Sequence, residues 1–328
     1  MQQNPSKHVA RACSICGNME GHSWFEVREM MFGTGDRFDY FQCGQCECLQ
    51  IAEIPENLTC YYPHDYYSLK ICSGDKFKGL MGTWRRFFLR AAVLRKNAAQ
   101  KLIARLFPAP QFEVFRDLNL QHDTRILDVG CGSGYKFLYP LAEIGFRNLM
   151  GCDPYISAPI HYPNGLSIVR EDIFKMAGEW DLITFHHSFE HVANPLQNLQ
   201  KVKTLLAENA VCVLRIPTVS SYAWKKYRTS WVQLDAPRHF FIHSRKSIEY
   251  LARQAGLRLC EVRYDSTHFQ FSASEGYLQN IPLVRQGDRK PSLFGFLKRK
   301  IKKLVFTWKA RALNRRYAGD QAAFFLSH

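Results

Sequence analysis

The sequence predicts an α/β fold, a parallel sheet with helices on both faces, preceded by a small module that a metal would staple. Three observations carry this. Downstream of Arg125, short apolar strands alternate with amphipathic helical stretches. The strand "RILDV" runs straight into three alternate glycines, Gly130, Gly132 and Gly134. Two Cys-x-x-Cys pairs, "CSIC" and "CGQC", occupy the first fifty residues. A chain of 328 residues buries a full core without disulfides. Its eleven cysteines, an odd number, therefore read as metal ligands or small core residues.

The first module spans residues 1–70 and is rich in Cys, Tyr, Phe and Gly with little helical period, as a small loop-rich unit would be. Cys13, Cys16, Cys43 and Cys46 bring two thiolate pairs from two tight turns, the zinc-ribbon pattern. Four thiolates fill a tetrahedral Zn²⁺, so the expected metal is structural, and Cys48 falls at a non-matching offset. Residues 71–115 form a basic linker in which Trp84, Phe87, Phe88, Leu102, Ile103 and Leu106 recur at helical spacing until "PAP" at Pro108–Pro110. Residues 116–328 carry the strands "RILDV", "NLMGCD", "LSIVR", "DLITFHH", "AVCVLRIP" and "LRLCEVRY", with "GDQAAFFLSH" as the last. Before that last strand, about 285–318 is a basic helical insertion with Phe294, Leu297, Ile301, Leu304, Val305, Trp308 and Ala312 on one stripe. Cys131, Cys152, Cys212 and Cys260 lie in or beside apolar strands and read as inert core thiols.

Charge is concentrated. Lys76–Phe112 holds nine Lys or Arg, and Arg289–Gly319 eleven, with no Asp or Glu in either. The formal net charge of +15 is thus two basic patches on a slightly acidic body, which suits a phosphate-rich or membrane-surface partner. The amino terminus lacks an apolar signal stretch, and no apolar run reaches the roughly 18 residues of a membrane span. The expected location is cytoplasmic, with a peripheral inner-membrane contact open to the basic helices.

"LDVGCGSG" resembles the first motif of class I S-adenosylmethionine-dependent methyltransferases, and the similarity continues over Arg125–Tyr264. The resemblance implies a Rossmann-like sheet in which Asp128, Gly130, Gly132 and Gly134 frame the methionine portion of S-adenosylmethionine, the glycines admitting the ligand where a Cβ would collide. It further implies that Asp153 of "GCDP" accepts both ribose hydroxyls. Asp172 would take the adenine-recognition position, with Ile173 beside the base. "DLITFHHSFEHVANP" resembles the fourth motif, where His187, Glu190 and His191 match an H-x-x-E-H signature; His191 is equally readable as a structural histidine.

The segment after the ribbon, "YYPHDYYS", resembles that of methyltransferases of sugar and polysaccharide pathways. Tyr62, Tyr66 and Tyr67 would then cover a sugar acceptor, or else pack between modules. In the same branch a W-x-x-L-D-x-P-R-H pattern follows the fifth strand, matched by Trp231, Leu234, Asp235, Pro237, Arg238 and His239. His239 is the expected general base for a hydroxyl acceptor, with Asp235 or Glu190 orienting it. Arg238 would hold a phosphate or carboxylate of the acceptor, or pair with a surface acid. His243, before Ser244 at a helix start, reads as structural.

The leading function is O-methylation of a nucleotide sugar, glycan or lipid-linked saccharide, with C-methylation of a keto sugar a close variant. An RNA methyltransferase gripping phosphates with ribbon and basic patches, and a non-catalytic zinc-containing adaptor, are the alternatives. Against nucleic acid stands the absence of an N/D-P-P-Y or S-P-P-Y motif at the fourth strand. Against the adaptor stand the intact Gly130, Gly132, Gly134 and Asp153.

Overall fold

The computed structural model of the protein describes residues 11–63, 68–71, 73–287 and 293–328, without the side chains of 293 and 294. In chain order its strands are β1 (Ser23–Arg28), β2 (Arg37–Gln42), β3 (Leu49–Ile51), β4 (Ile126–Val129), β5 (Leu149–Cys152), β6 (Ile160–His161), β7 (Ser167–Val169), β8 (Trp180–His186), β9 (Leu206–Pro217), β10 (Phe241–Ile242), β11 (Arg258–Tyr264) and β12 (Gln321–Ser327). The helices are α1 (Gly79–Leu94), α2 (Ala98–Leu106), α3 (Pro110–Glu113), α4 (Leu138–Glu143), α5 (Pro195–Leu205), α6 (Tyr222–Tyr227), α7 (Arg245–Gln254), α8 (Phe269–Leu278) and α9 (Leu293–Arg315). Two compact units emerge. One holds the chain to Tyr62 with Phe189–Leu199 and Arg215–Phe324, the other Pro63–Ser188, Gln200–Leu214 and Phe325–His328.

In the second unit β4 pairs in parallel with both β8 and β5, and β5 with β7, while the two-residue β6 returns antiparallel. All four residues of β4 are buried, as expected of a strand covered on both faces. Within this unit the strand order is β8-β4-β5-β7-β6. This mostly parallel sheet, with helices between its strands, is the α/β architecture that the sequence predicts. The linker differs from the sequence expectation. Arg95 turns left-handed after α1, and Asn97 caps α2 by accepting from the Gln100 amide at 2.9 Å, so the helix is a hairpin rather than one rod. Its packed side is Leu89 and Ala91–Leu94, whereas Trp84, Phe87, Leu102 and Leu106 stand in solvent.

In the first unit β1, β2 and β3 form an antiparallel meander, and β10 joins it against β3 in the register Phe241↔Gln50 and Ile242↔Leu49. That fourth strand was not foreseen from the sequence. Two residues give no periodic signal, and their pairing with the ribbon is remote in the chain. Ser244 starts α7 through a reciprocal capping box with Ser247. The α9 stripe is mostly solvated: Phe306 meets Phe271 of α8 at 5.1 Å and Ala310 is buried, while Leu297, Ile301, Leu304, Val305 and Trp308 are exposed. Cys260 is also exposed, because β11 is an edge strand with a solvated face; Cys152 and Cys212 are buried and Cys131 half-buried.

Candidate active site

The two Cys-x-x-Cys turns bring the sulfurs of Cys13, Cys16, Cys43 and Cys46 within 4.8 Å of one another. Cys13 and Cys46 Sγ are 3.6 Å apart, as are Cys16 and Cys43. A tetrahedral zinc with bonds of about 2.3 Å separates its sulfurs by about 3.8 Å, so the residues fit that ion. Gln50 Nε2 donates to Cys13 Sγ at 3.0 Å, and the Gln45 amide to Cys43 Sγ at 3.4 Å, which favours thiolates. Cys48 lies outside the cluster, its Sγ 3.9 Å from His243 Nδ1.

At the end of β4, Gly130, Gly132 and Gly134 all have positive φ, near +67°, +56° and +67°. A Cβ on them would fall 2.5 Å from Ser188 Cβ, 2.3 Å from Ser68 O and 2.7 Å from Ile168 Cδ1 respectively. Left-handed backbone and close protein packing each demand glycine at these three positions, and no Cβ stands between the turn's backbone and a neighbour. Asp128 is buried beside this turn and accepts from Thr184 Oγ1 at 2.7 Å; burial pushes its carboxyl up to about 8. Asp153, past β5, accepts from the Gly132 amide at 2.7 Å on one oxygen and the Tyr155 amide at 2.8 Å on the other. Each oxygen keeps a second lone pair for a diol hydroxyl. Burial raises the Asp153 carboxyl, and the two amides oppose that rise. Asp172 is exposed and caps the turn Ile173–Lys175 by accepting from the Phe174 amide at 2.9 Å, and Ile173 is buried. His187, half-buried with φ +53°, turns the chain at the end of β8.

The segment Trp231–Ser244 is held at both ends. Trp231 is fully buried and donates its indole N–H to Asp320 at 3.0 Å, and the Val232 amide donates to Ser274 Oγ of α8. The other end is β10, secured to the ribbon. Between them Arg238, 0% exposed, donates to both oxygens of Asp235 (2.6 and 3.1 Å), to Glu29 Oε1 at 2.8 Å and to the Tyr61 carbonyl at 3.1 Å. Arg238 is thereby removed from the expected substrate contacts, since two buried carboxylates consume its fork of donors. Burial would raise the Asp235 carboxyl, but the Arg238 charge and hydrogen bonds hold it below the usual carboxylate range. Glu29, which no sequence pattern singled out, also accepts the amides of Phe32, Gly33 and Thr34.

His239 Nδ1 lies 2.8 Å from the Gln233 carbonyl, and a carbonyl only accepts, so Nδ1 carries the proton. In the neutral ring Nε2 is then the basic nitrogen; it lies 3.9 Å from Glu190 Oε1 and 3.8 Å from Asp235 Oδ2. The His239 carbonyl accepts from Tyr40 Oη at 2.8 Å. His191, left open from the sequence, joins this group: its Nδ1 donates to the Arg238 carbonyl at 2.7 Å and lies 3.3 Å from Tyr62 Oη, and its ring meets that of His239 edge-on at 4.7 Å. Burial first, and then His239, lower the His191 imidazole to about 4, so it is neutral at pH 7. Tyr66 and Tyr67 lie outside the described residues. His243 is buried, 3.2 Å from Ser247 Oγ, and burial lowers it to about 3.

No curated protein matches the chain. Among solved structures it is similar to a mycolic acid cyclopropane synthase complexed with SAH and CTAB (14% identity, 74% of this chain and 94% of that one, TM-score 0.42). Another is a cyclopropane synthase from Mycobacterium tuberculosis (14%, 74% and 93%, 0.41), and a third is a coclaurine N-methyltransferase bound to N-methylheliamine and SAH (14%, 74% and 78%, 0.41). A family model described as a methyltransferase domain matches residues 90–262. Matched over more than half of its length, the chain belongs to the methyltransferase-domain family.

Proposed function

We propose that this methyltransferase uses S-adenosylmethionine to methylate a hydroxyl of a sugar-containing acceptor, a nucleotide sugar, glycan or lipid-linked saccharide, with His239 as general base and a structural Zn²⁺ on Cys13, Cys16, Cys43 and Cys46. When bound, S-adenosylmethionine supplies a methyl group already activated by its sulfonium. Asp128, the backbone of the Gly130–Gly134 turn, Asp153 and the Asp172–Ile173 corner would hold it, and Asp153 retains the acceptor capacity that a ribose diol needs.

The single observation that carries the proposal is the tautomer of His239. With Nδ1–H tied to Gln233, Nε2 is the basic nitrogen, and it faces two carboxylates. A hydroxyl acceptor gains from such a base as it attacks, and Glu190 and Asp235 stabilise the imidazolium that results. Amine and thiol acceptors need this less. Tyr62, beside His191, offers a phenol and a ring to a carbohydrate face. The test is a labelled-methyl transfer screen over nucleotide sugars and lipid-linked glycans, followed by His239→Gln on the acceptor found. Turnover should fall by about 10²–10⁴ with cofactor affinity retained. An unimpaired rate refutes the assignment of the base, and transfer to RNA but to no sugar refutes the acceptor class.

A further inference from the structure

α9 packs through one side only. Phe306 meets Phe271 of α8, Ala310 is buried, Lys302 pairs with Glu275, and Lys309 lies over the rings of Tyr222 and Phe271. At 3.6 residues per turn, Leu297, Ile301, Leu304 and Trp308 fall on one stripe diametrically opposite Phe306. Leu304 is 71% and Trp308 74% exposed. Lys298 borders the stripe on one side, Lys300 and Arg311 on the other, and the helix contains no acidic residue. A 23-residue helix with a packed side, a large apolar side and cationic flanks is the form of an interfacial helix lying in the plane of a membrane surface. No helix among the described residues is long and apolar enough to cross a bilayer.

The occupant follows from charge and apolar chemistry together. Nucleic acid would satisfy the cations but offers nothing to Leu297, Ile301 and Leu304. A second copy would set one acid-free cationic face against another. An anionic lipid leaflet meets both features, each cation near its surface contributing about 1 kcal/mol, roughly fivefold in affinity. The α1–α2 hairpin repeats the signature independently, with Leu80, Met81, Trp84 and Phe87 exposed in the acid-free stretch Lys76–Phe112. We infer that α9 docks the protein on an anionic phospholipid surface, its Leu297–Trp308 stripe entering the acyl boundary and its Lys and Arg residues meeting the phosphates. This holds whatever the methyl acceptor is.

The test is flotation of the zinc-loaded full chain with vesicles of phosphatidylcholine alone or mixed with phosphatidylglycerol. Binding should require phosphatidylglycerol and weaken at high salt. Leu304→Asp with Trp308→Asp, both solvent-exposed and so compatible with an unchanged melting curve, should lower it at least about tenfold. Lipids brominated on the acyl chain should quench tryptophan fluorescence less in Trp308→Phe than in the parent. The inference is overturned if the mixed vesicles are not bound at low salt or if the Asp variant binds them as well as the parent does. It is also overturned if only Leu80→Asp with Trp84→Asp abolishes binding, or if RNA is bound while vesicles are not.

Discussion

Replacing Arg238 by Met keeps the length and apolar stem of the side chain and removes the one cation between Asp235 and Glu29. The structure makes this costly. Arg238 and Glu29 are both 0% exposed, and Asp235 is only 14% exposed. Breaking a buried pair by removing one partner costs about 3–5 kcal/mol, because the remaining charge is left uncompensated. That corresponds to a fall of about 10 °C in apparent Tm at pH 7 for a unit of this size. The pH dependence gives the loss a signature. In the parent the folded Asp235 carboxyl lies below its unfolded value, so its contribution is present above the unfolded pKa, about 4, and is lost only as pH falls through the lower folded value. In Arg238→Met, burial without the guanidinium raises the Asp235 carboxyl above its unfolded value. The variant then binds a proton more readily when folded and regains stability as pH falls. The deficit, measured by thermal melts with denaturant titration at pH 7 and pH 5, should be smaller at pH 5. A loss under about 1 kcal/mol, or a deficit that grows on acidification, would refute the reasoning. Arg238→Lys should recover only part, since an ammonium cannot reproduce the two-oxygen fork to Asp235 while reaching Glu29.

Asp153→Asn should weaken calorimetric binding of S-adenosylhomocysteine by about tenfold to a hundredfold, the worth of a hydrogen bond to a charged group; equal affinity would detach Asp153 from the cofactor. Gly130→Ala combines left-handed strain with a 2.5 Å approach to Ser188 Cβ, whereas Gly178→Ala, at φ +84° with nothing within 4 Å, has only the strain. The first should cost about 2–4 kcal/mol and the second about 1, and equal losses in chemical denaturation would remove the packing argument. Cys46→Ser should abolish stoichiometric zinc measured by elemental analysis and speed amide exchange at Leu49–Ile51 and Phe241–Ile242, with Ile126–Val129 unaffected. Unchanged exchange in β10 would show that the metal does not hold that strand.

The parallel sheet was legible because its strands are short, buried and punctuated. β4 and β8 read directly from "RILDV" and "DLITFHH". The cysteine cluster was legible from spacing alone. Other features depend on partners far away in the chain. Arg238 looks like an anion-binding side chain in a polar stretch, and only the approach of Glu29 and Asp235 shows its donors to be engaged. Glu29 itself sits before "MMFGTGD" with no pattern around it, because what it satisfies is a turn of backbone amides and an arginine more than two hundred residues later. The α9 stripe was visible as a period but not as a direction. Helical spacing shows that apolar residues share a face, and says nothing of whether protein or another medium covers it.

A metal held by the four clustered cysteines would have no open position for chemistry, yet the module around that cluster is tied to the proposed base. β10 is two residues long and cannot persist alone. It is kept in place by pairing with β3, by the Ile51 amide donating to the Phe240 carbonyl, and by Ser244 Oγ donating to the carbonyl of Cys46, itself one of the four clustered thiols. Tyr40 of β2 holds the His239 carbonyl, and Glu29, just past β1, holds Arg238. β2, β3 and the turn after β1 thus fix the stretch that begins at Asp235. If the cluster holds a metal and His239 is the base, removing the metal should impair turnover by releasing the His239 backbone, and the cysteine module would serve the reaction as its frame.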